Sequence, residues 1–453
     1  MTLERIESKV FRESLFRGTT PGGLNFYCLP RRGYNKQHAA LAVDCGAADL
    51  DFVNTRTGRP ERVPAGVAHF LEHKMFERKG SSAFDEFSRI GAQANAYTNY
   101  SFTSYVFSAT GQFDKALNLL LRLVSEAYLT PETVEKEKGI IEQEIRMYRD
   151  MPAVRAETNL LQALYHRCPV REEIGGTVES VRNISVQVLR DCFDTFYVPA
   201  NMALFVSGDV DPERAFDVAS AALGVRTRRP DAPDQASGRD VPGQAAQRPA
   251  GLPARLLGPD EPSSVREPKV EERMASSMPI ALVGFKDSVT GLSGEALASR
   301  QAAGDLAMLA LFGRSSLAFE ELYESGLITD RFSFLFDSEH AYSHAVLGGE
   351  TPHPERFVER IGSIAAMARK DGPGIEAVNR LKRKVTGEFA TLFNSPERLA
   401  RVFCSLVFKG IGLFEYYDIL RRVSLEDVEE VLGTCLLPER QAVSIVWPEE
   451  MDA

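Results

Sequence analysis

Several features that would place the chain in a specialised class of protein are missing from its sequence. No apolar run in the 453 residues reaches the length of about 18 residues that a membrane-spanning helix needs. The charged N-terminus, Met1 to Glu7, lacks the apolar core of a secretory signal. The net charge is −10 and no block of lysine and arginine is present. We therefore expect a protein that neither spans a membrane nor binds nucleic acid.

Cysteine is scarce, and no two cysteines are spaced as C-x-x-C. The six cysteines are scattered along the chain, at positions 28, 45, 168, 192, 404 and 435. Scattered cysteines favour reduced thiols over a disulfide framework, so we expect a cytoplasmic protein.

The length exceeds what one ordinary hydrophobic core supports, so two or more domains are expected. Residues 226–268 hold eight of the 24 prolines and almost no aromatic residues, a composition typical of a partly disordered linker. We therefore predict an N-terminal catalytic domain at 1–225, a linker at 226–268 and a second domain at 269–453.

Histidine is also rare, with seven in the chain, yet two lie four residues apart in a segment typical of a buried helix, 66–76. At this spacing His69 and His73 project from one helix face and can bind one Zn²⁺. Glu72, beside them, can take a proton from a metal-bound water. The pattern is H-x-x-E-H, the inverted zinc-protease motif. The alternative is two core histidines satisfied by neighbouring groups, and the zinc interpretation requires a third ligand.

The helix predicted at 131–149 offers that ligand. On a helical wheel Glu137 and Glu144 lie in the apolar stripe with Val134, Ile140 and Ile141, while most other charges lie opposite. A buried carboxylate needs a cation or a hydrogen-bond donor. A metal ion supplies the cation, and an arginine or lysine from a neighbouring element is the alternative.

An offset of 244 positions aligns the region around 131–152 with a second copy without a gap. Glu132 falls on Glu376 and Glu144 on Glu388, which predicts two copies of one αβ unit. Glu137, however, falls on Leu381, and the second half has no H-x-x-E-H. The joint loss of both features favours a metal role for them over a purely structural one.

Local patterns also predict strands near 24–30 and 38–45 joined by a turn, a pair at 94–98 and 102–108, and apolar strands at 201–208 and 278–285. Helices are predicted near 84–90, 112–128, 151–170, 186–196, 211–223 and 309–322.

These motifs resemble the pitrilysin/insulinase family of zinc metallopeptidases, peptidase family M16, in its small two-domain branch. The resemblance covers nearly the whole chain. It implies that His69, His73 and Glu144 bind zinc, that Glu72 is the general base and that Glu137 supports the site from behind the ligands. Residues 94–98, Ala-Asn-Ala-Tyr-Thr, match the family segment that pairs with the substrate backbone, so the resemblance implies that Asn95, Ala96 and Tyr97 bind substrate.

One stretch departs from the family. Active members carry an arginine and, seven residues later, a tyrosine in the second domain. Here the stretch 322–330 is one residue shorter before its glycine. Aligning Leu-x-Glu puts Tyr323 at the arginine position, and aligning Gly-Leu puts Thr329 at the tyrosine position, so the pair is missing either way, with Arg331 nearby as a candidate substitute. The resemblance therefore implies a homologous partner subunit that supplies the pair, or a homodimer. The segments around His73 and Glu137 are most similar to insulinase-like proteins associated with 5-aminopentanol modification of elongation factor P.

The predicted fold is α+β, with two related domains that each pack helices on one face of an antiparallel sheet and that enclose a central cavity like a clamshell. The predicted function is zinc-dependent endopeptidase activity on peptides or proteins bound in extended conformation. The alternative is an accessory or peptide-binding subunit in elongation factor P modification, with little proteolytic activity of its own.

Overall fold

The computed structural model describes residues 3–223, 252–256 and 261–449. The first half of the chain is an alternation of strands and helices. Its strands are β1 Glu4–Ser8, β2 Glu13–Thr19, β3 Asn25–Pro30, β4 Gln37–Val43, β5 Asp51–Val53, β6 Pro60–Arg62, β7 Glu77–Arg78, β8 Ser81–Ser82, β9 Gln93–Thr98, β10 Thr103–Ala109 and β11 Met202–Gly208. Its helices are α1 Val67–Met75, α2 Ala83–Arg89, α3 Phe113–Ser125, α4 Pro131–Arg149, α5 Pro152–Leu164, α6 Val178–Arg182, α7 Val186–Phe196 and α8 Pro212–Ala222.

The second half repeats the same kinds of element. Its strands are β12 Lys269–Met274, β13 Ile280–Lys286, β14 Ser333–Ser338, β15 Ser343–Glu350 and β16 Gln441–Pro448. Its helices are α9 Gly294–Phe312, α10 Leu317–Glu324, α11 Pro354–Asp371, α12 Ile375–Leu392, α13 Pro396–Val407, α14 Leu413–Arg422 and α15 Leu425–Cys435. None of the helices in the described ranges is both long and apolar enough to cross a lipid bilayer.

Two large sheets organise these elements. The first has the strand order β1-β2-β3-β11-β4-β10-β9, and the second has the order β12-β16-β13-β15-β14. In each sheet one pair is parallel, β3 with β11 and β12 with β16, and the other pairs are antiparallel. The strand β11 is buried along its whole length, which explains its unbroken apolar sequence, because a central strand is covered on both faces.

The residues cluster into two compact units, one around each large sheet. Unit 1 comprises Met1–Ile145, Glu173–Leu257 and Thr391–Phe408, and unit 2 comprises Arg146–Glu172, Gly258–Ala390 and Lys409–Ala453. The helix α13 therefore belongs to unit 1, where Phe403 stacks on Phe205 of β11. The helix α5 belongs to unit 2, where Leu160 and Leu164 lie against Gly284 of β13. The domain boundaries predicted at 225 and 268 divide the chain into consecutive segments and did not include this exchange of helices. They stay a prediction.

The exchanged helices cover the second face of each sheet. In unit 2, Phe285 lies opposite Ala345, which lies opposite Phe336, so these three side chains share a face, and Phe336 contacts Gly304 of α9. Gly284, next along β13, faces the other way and contacts α5. The predicted α+β class, with two related domains of sheet and helices, is confirmed. The structure adds two features to the predicted arrangement: one parallel strand pair in each sheet and a helix on the second face of each sheet.

Most of the predicted linker, residues 226–251 and 257–260, lies outside the described residues. Within the described part, Arg255 forms an isolated β-bridge with Phe52 of β5. The Arg255 guanidinium also donates to Asp44 Oδ1 at 2.6 Å and to Asp49 Oδ2 at 2.9 Å. This piece of the linker is therefore fixed to unit 1 by two carboxylates.

Candidate metal centre

The helix α1 presents its motif residues on its one accessible side. Most residues of the helix are buried, namely Val67, Ala68, Phe70, Leu71, Lys74 and Met75. His69, Glu72 and His73 are half-buried. The apolar residues thus fix the helix in the core, and the three polar side chains point at the remaining open side.

The start of α1 is held by a backbone contact. Gly66 precedes the helix with φ 95°, a conformation that glycine adopts without strain. A Cβ atom built on Gly66 would lie 2.5 Å from the carbonyl oxygen of Gly175. The same loop lies beside His69, since a Cβ on Gly175 would lie 3.6 Å from His69 Nδ1. Close packing of these loops therefore sets the position from which the histidines project.

The helix α4 brings Glu144 to both histidines. Glu144 Oε1 lies 3.8 Å from His69 Nε2, and Glu144 Oε2 lies 3.4 Å from His73 Nε2. One ligand atom from each of these residues lies within 4.8 Å of those from the other two. The structure thus brings together the three residues that the sequence analysis assigned to metal binding.

This donor set fits a zinc ion. Two imidazole nitrogens and one carboxylate are a ligand set of catalytic zinc sites, which keep a fourth position open. Ligand atoms around tetrahedral zinc, at bond lengths of about 2.0–2.2 Å, lie about 3.3–3.6 Å apart. The distances of 3.8 and 3.4 Å run to different oxygens of Glu144, and the three ligand atoms lie within 4.8 Å of one another. The three side chains are therefore close enough to hold one ion between them.

Glu137 lies behind His73. The Nδ1 atom of His73 is 3.0 Å from Glu137 Oε1, a hydrogen bond that leaves Nε2 directed at Glu144. Burial by itself lowers the pKa of His73, but the hydrogen bond and negative charge of Glu137 outweigh it and the pKa is raised. A carboxylate in this position fixes the tautomer and orientation of a metal-binding imidazole. His73 is the hydrogen-bond donor that this half-buried carboxylate requires.

The His69 ring is in a different environment. Burial, with a smaller contribution from the nearby His73, lowers the pKa of His69 to about 4. Its Nδ1 atom is buried and has no hydrogen-bond partner among the described residues. The ring is therefore neutral near pH 7, the form in which imidazole binds metals.

Glu72 is oriented by a strand residue. Thr98 Oγ1, on β9, donates a hydrogen bond of 2.6 Å to Glu72 Oε2. Burial raises the pKa of Glu72 above its usual value, although the Thr98 hydrogen bond opposes this. A carboxylate with a raised pKa beside a metal site is suited to accept and return a proton.

A cavity of about 530 Å³ opens next to these residues, which we call the Glu72 cavity. It is lined by Glu72, His73, Glu137, Asn95 and Ala96 together with residues 76–78 and 80–82 and Phe84 and Lys136. The strand β9 is the last strand of its sheet and pairs only with β10 among the described strands. Asn95 is exposed, and Ala96 and Tyr97 are half-buried on this edge. The three residues predicted to bind substrate thus lie on an open sheet edge beside the candidate metal site.

The second half of the chain places other side chains at the corresponding positions. Leu381, aligned with Glu137, is buried in α12. Tyr323 is 56% exposed at the end of α10. Arg331 donates to Glu350 Oε1 at 2.5 Å, so it is already paired within unit 2.

Two contributors were missed by the sequence analysis. Thr98 lies within the segment that was singled out, but its bond to Glu72 joins residues 26 positions apart and has no local signal. Lys74 is fully buried in α1 and forms an ion pair with Glu77. Its place inside the segment typical of a buried helix, 66–76, was the available signal.

This chain is similar to known proteins along most of its length. The sequence profile of "Insulinase (Peptidase family M16)" matches residues 60–178, and that of "Peptidase M16 inactive domain" matches residues 183–385. A Bacillus subtilis protein named "Uncharacterized zinc protease YmfH" is 35% identical over 447 residues, which cover 99% of this chain and 100% of the relative.

Solved structures give the same result. A protein described as M16-like, from Alicyclobacillus acidocaldarius, superposes with a TM-score of 0.86 at 31% identity, covering 99% of both chains. A protease from Helicobacter pylori gives a TM-score of 0.76 at 16% identity over 99% of both chains, a likeness of fold alone.

Proposed function

Because the chain belongs to the insulinase family of peptidases, peptidase family M16, we propose that it is a zinc-dependent endopeptidase that cuts peptides held in an extended conformation. The observation that carries the proposal is the convergence of His69, His73 and Glu144 on one point beside Glu72. Relatives named zinc proteases support the choice of metal.

Each residue of the site has its own proposed role. His69, His73 and Glu144 would hold the ion, and Glu137 would keep the His73 ring in place through the 3.0 Å hydrogen bond. Zinc, when bound, supplies a Lewis acid that polarises a carbonyl and acidifies water. Glu72, oriented by Thr98, accepts the proton of the attacking water and delivers it to the leaving amine.

The open edge of β9 is the proposed substrate platform. An extended peptide would add to this strand through backbone hydrogen bonds, which accept many side-chain sequences. Asn95 and Ala96 line the Glu72 cavity, so a backbone bound along them passes next to the metal site. The proposed substrate class is therefore a flexible peptide or an unfolded segment of a protein.

A Glu72→Gln variant tests this function. It removes the proton acceptor but keeps the size of the side chain and the zinc ligands, so the zinc content should equal that of the wild type. Cleavage of a quenched-fluorescence peptide should fall by about 10²–10⁴-fold. Glu135→Gln, an exposed residue of α4, is the matched control and should keep full activity. Unchanged turnover in Glu72→Gln would remove Glu72 from the mechanism.

The protein also has a proposed partner. The stretch 322–330 lacks the arginine and the tyrosine of active members, since one alignment places Tyr323 at the arginine position and the other places Thr329 at the tyrosine position. Arg331, nearby, is paired with Glu350. A homologous subunit carrying the pair, or a second copy of this chain, would supply the missing groups. Peptidase activity that appears only on mixing with such a subunit supports this, and full activity of the isolated monomer contradicts it.

A second candidate function follows from the same missing pair. The chain would then hold a peptide without cutting it, as an accessory subunit, and its resemblance to proteins associated with elongation factor P modification suggests that pathway. Peptide binding without cleavage, unchanged by Glu72→Gln and by a partner, would favour this function. Cleavage that depends on Glu72 favours the endopeptidase.

A further inference from the structure

A second cavity lies along β9 and is not used by the chemistry above. It has a volume of about 500 Å³, and we call it the Arg401 cavity. It is lined by Asn95 and Tyr97 of β9, by His38, Ala40, Val106 and Ser108 of the neighbouring strands, by Glu397, Ala400 and Arg401 of α13, and by residues 92–94, Phe84 and Ser88. All of these residues belong to unit 1.

The two cavities lie on opposite faces of the sheet at the same edge. Asn95 is paired with Val106, which is paired with Ala40, and side chains at paired positions share a face. All three line the Arg401 cavity. Ala96, one position along, points to the other face and lines the Glu72 cavity. A peptide added to β9 would therefore direct alternate side chains into the two cavities.

The Arg401 cavity holds a cation that has no anionic partner among the residues that the structure describes. The Arg401 guanidinium lies 5.2 Å from the centre of the Tyr97 ring, so the arginine is held over the edge strand. Within the part of the chain that the structure describes, no carboxylate forms an ion pair with it. The aromatic contact positions the charge and does not neutralise it.

The nearest acid on the same helix is already engaged. Glu397, four residues before Arg401, forms an ion pair with Lys36. It also accepts hydrogen bonds from Ser108 at 3.2 Å and from Ser395 at 3.2 Å. Burial favours its neutral form, but Lys36, the backbone N–H of Glu397 itself and the nearby His38 hold its pKa at about 2. Glu397 is therefore ionised and satisfied, and the cavity keeps the positive charge of Arg401.

We propose that the Arg401 cavity is a specificity subsite that binds a carboxylate of the peptide lying on β9, with Arg401 as the residue that selects it. The proposal rests on the endopeptidase function above. The carboxylate belongs to an Asp or Glu side chain, or to the C-terminus of the peptide, at a residue whose neighbours point into the Glu72 cavity. Arginine pairs with carboxylates through two parallel hydrogen bonds, which makes it selective for this group over an amide.

The test compares cleavage preferences of the full-length, zinc-loaded protein. A mixture of proteome-derived peptides is digested and the cleavage sites are identified by mass spectrometry. Glu should be favoured over Gln by about tenfold at one position relative to the cut. If the C-terminal carboxylate is the ligand, cuts should instead lie at a fixed distance from the free C-terminus and vanish in amidated peptides.

Variants assign the preference to the arginine. Arg401→Gln should abolish it, and Arg401→Glu should replace it with a preference for Lys. Arg398→Gln removes the same charge one turn away on α13, outside the cavity, and should leave the preference intact. Cleavage without an acidic or C-terminal preference, or a preference that survives in Arg401→Gln, would overturn the proposal.

Failure of the proposed function is distinguishable from failure of this inference. If the wild type cuts no peptide, binding of labelled decapeptides with Glu or Gln at each position in turn is measured by fluorescence anisotropy. One Glu peptide should bind about tenfold more tightly than its Gln twin, and only when Arg401 is present. Equal affinities of the Glu and Gln peptides at every position, or no binding, would overturn the subsite proposal. The separate question of peptide hydrolysis would already have been answered by the lack of cleavage.

Discussion

At the candidate metal centre, individual side chains are positioned by contacts with their neighbours. Glu144 reaches both histidines, Glu137 holds the far side of His73, and Thr98 holds Glu72. The two carboxylates of α4 that stood out on the helical wheel, Glu137 and Glu144, are half-buried, and they have different neighbours and different proposed roles. Ile140, which was placed on the same stripe, is 45% exposed, so the apolar face of α4 is narrower than the wheel suggested.

The support given by Glu137 leads to a prediction. Glu137→Gln keeps the shape of the side chain but removes the charge that stabilises the His73 hydrogen bond. Zinc affinity, measured by competition with a chelator, should fall by about 10–100-fold. Glu142→Gln is the matched control, because Glu142 lies on the same helix and pairs with Arg182 at 2.7 Å instead. Equal affinities in the two variants would contradict the role given to Glu137.

At the scale of elements, local sequence patterns predicted where helices and strands lie better than they predicted which strands pair. The helix α4 begins and ends at the predicted residues, 131 and 149, because proline starts it and its apolar stripe is regular. The hairpin β9–β10 is also confirmed. In contrast, β3 and β4 are joined by the predicted turn but are separated in the sheet by β11, which comes from about 160 residues later. That insertion is set by contacts distant in sequence, and no local pattern contains it.

Other elements and contacts were missed for related reasons. The strands β1 and β2 are rich in charged residues, and their pairing at the sheet edge leaves much of them exposed. The residues of the candidate metal centre could be proposed from the sequence because a ligand set has a fixed spacing on helices. The Thr98 contact and the Arg401 cavity were not, since both depend on which strands and helices meet.

The entry to α1 gives a prediction at this scale. Gly66→Ala adds a Cβ at φ 95° and places it 2.5 Å from the Gly175 carbonyl oxygen. Backbone strain alone costs about 1–3 kcal/mol, and the overlap adds to it. Gly33→Ala is the matched control, since Gly33 has φ 80° and nothing within 4 Å of the added atom. Urea unfolding should show a clearly larger loss of stability for Gly66→Ala, and equal losses would contradict a role for the backbone contact.

At the scale of the whole molecule, the two sheets are built to one plan. The order β3-β11-β4-β10-β9 corresponds strand by strand to β12-β16-β13-β15-β14, with the same parallel pair at the same place. The predicted repeat of one αβ unit is therefore visible in the topology. The exchange of α5 and α13 means that each sheet depends on a helix from the other half of the chain for the cover of one face.

This exchange of helices predicts which strands a core substitution destabilises. Phe403 is 1% exposed and stacks on Phe205 at a ring distance of 4.7 Å. Phe403→Ala should cost about 3–5 kcal/mol. Hydrogen exchange should show the loss of protection in β4 and β11 of unit 1, although residue 403 lies near the C-terminus. Leu160→Ala is the reciprocal case and should expose β13 and β16 of unit 2. Protection lost only in the half of the chain that carries each substitution would contradict the exchange.

A crystal structure of the zinc-loaded protein, with anomalous scattering recorded at the zinc edge, would show directly whether His69, His73 and Glu144 bind one ion. We expect one anomalous peak, bonded to His69 Nε2, His73 Nε2 and an oxygen of Glu144 at about 2.0–2.2 Å. A protein that binds no zinc, or a peak held by other residues, would contradict that expectation.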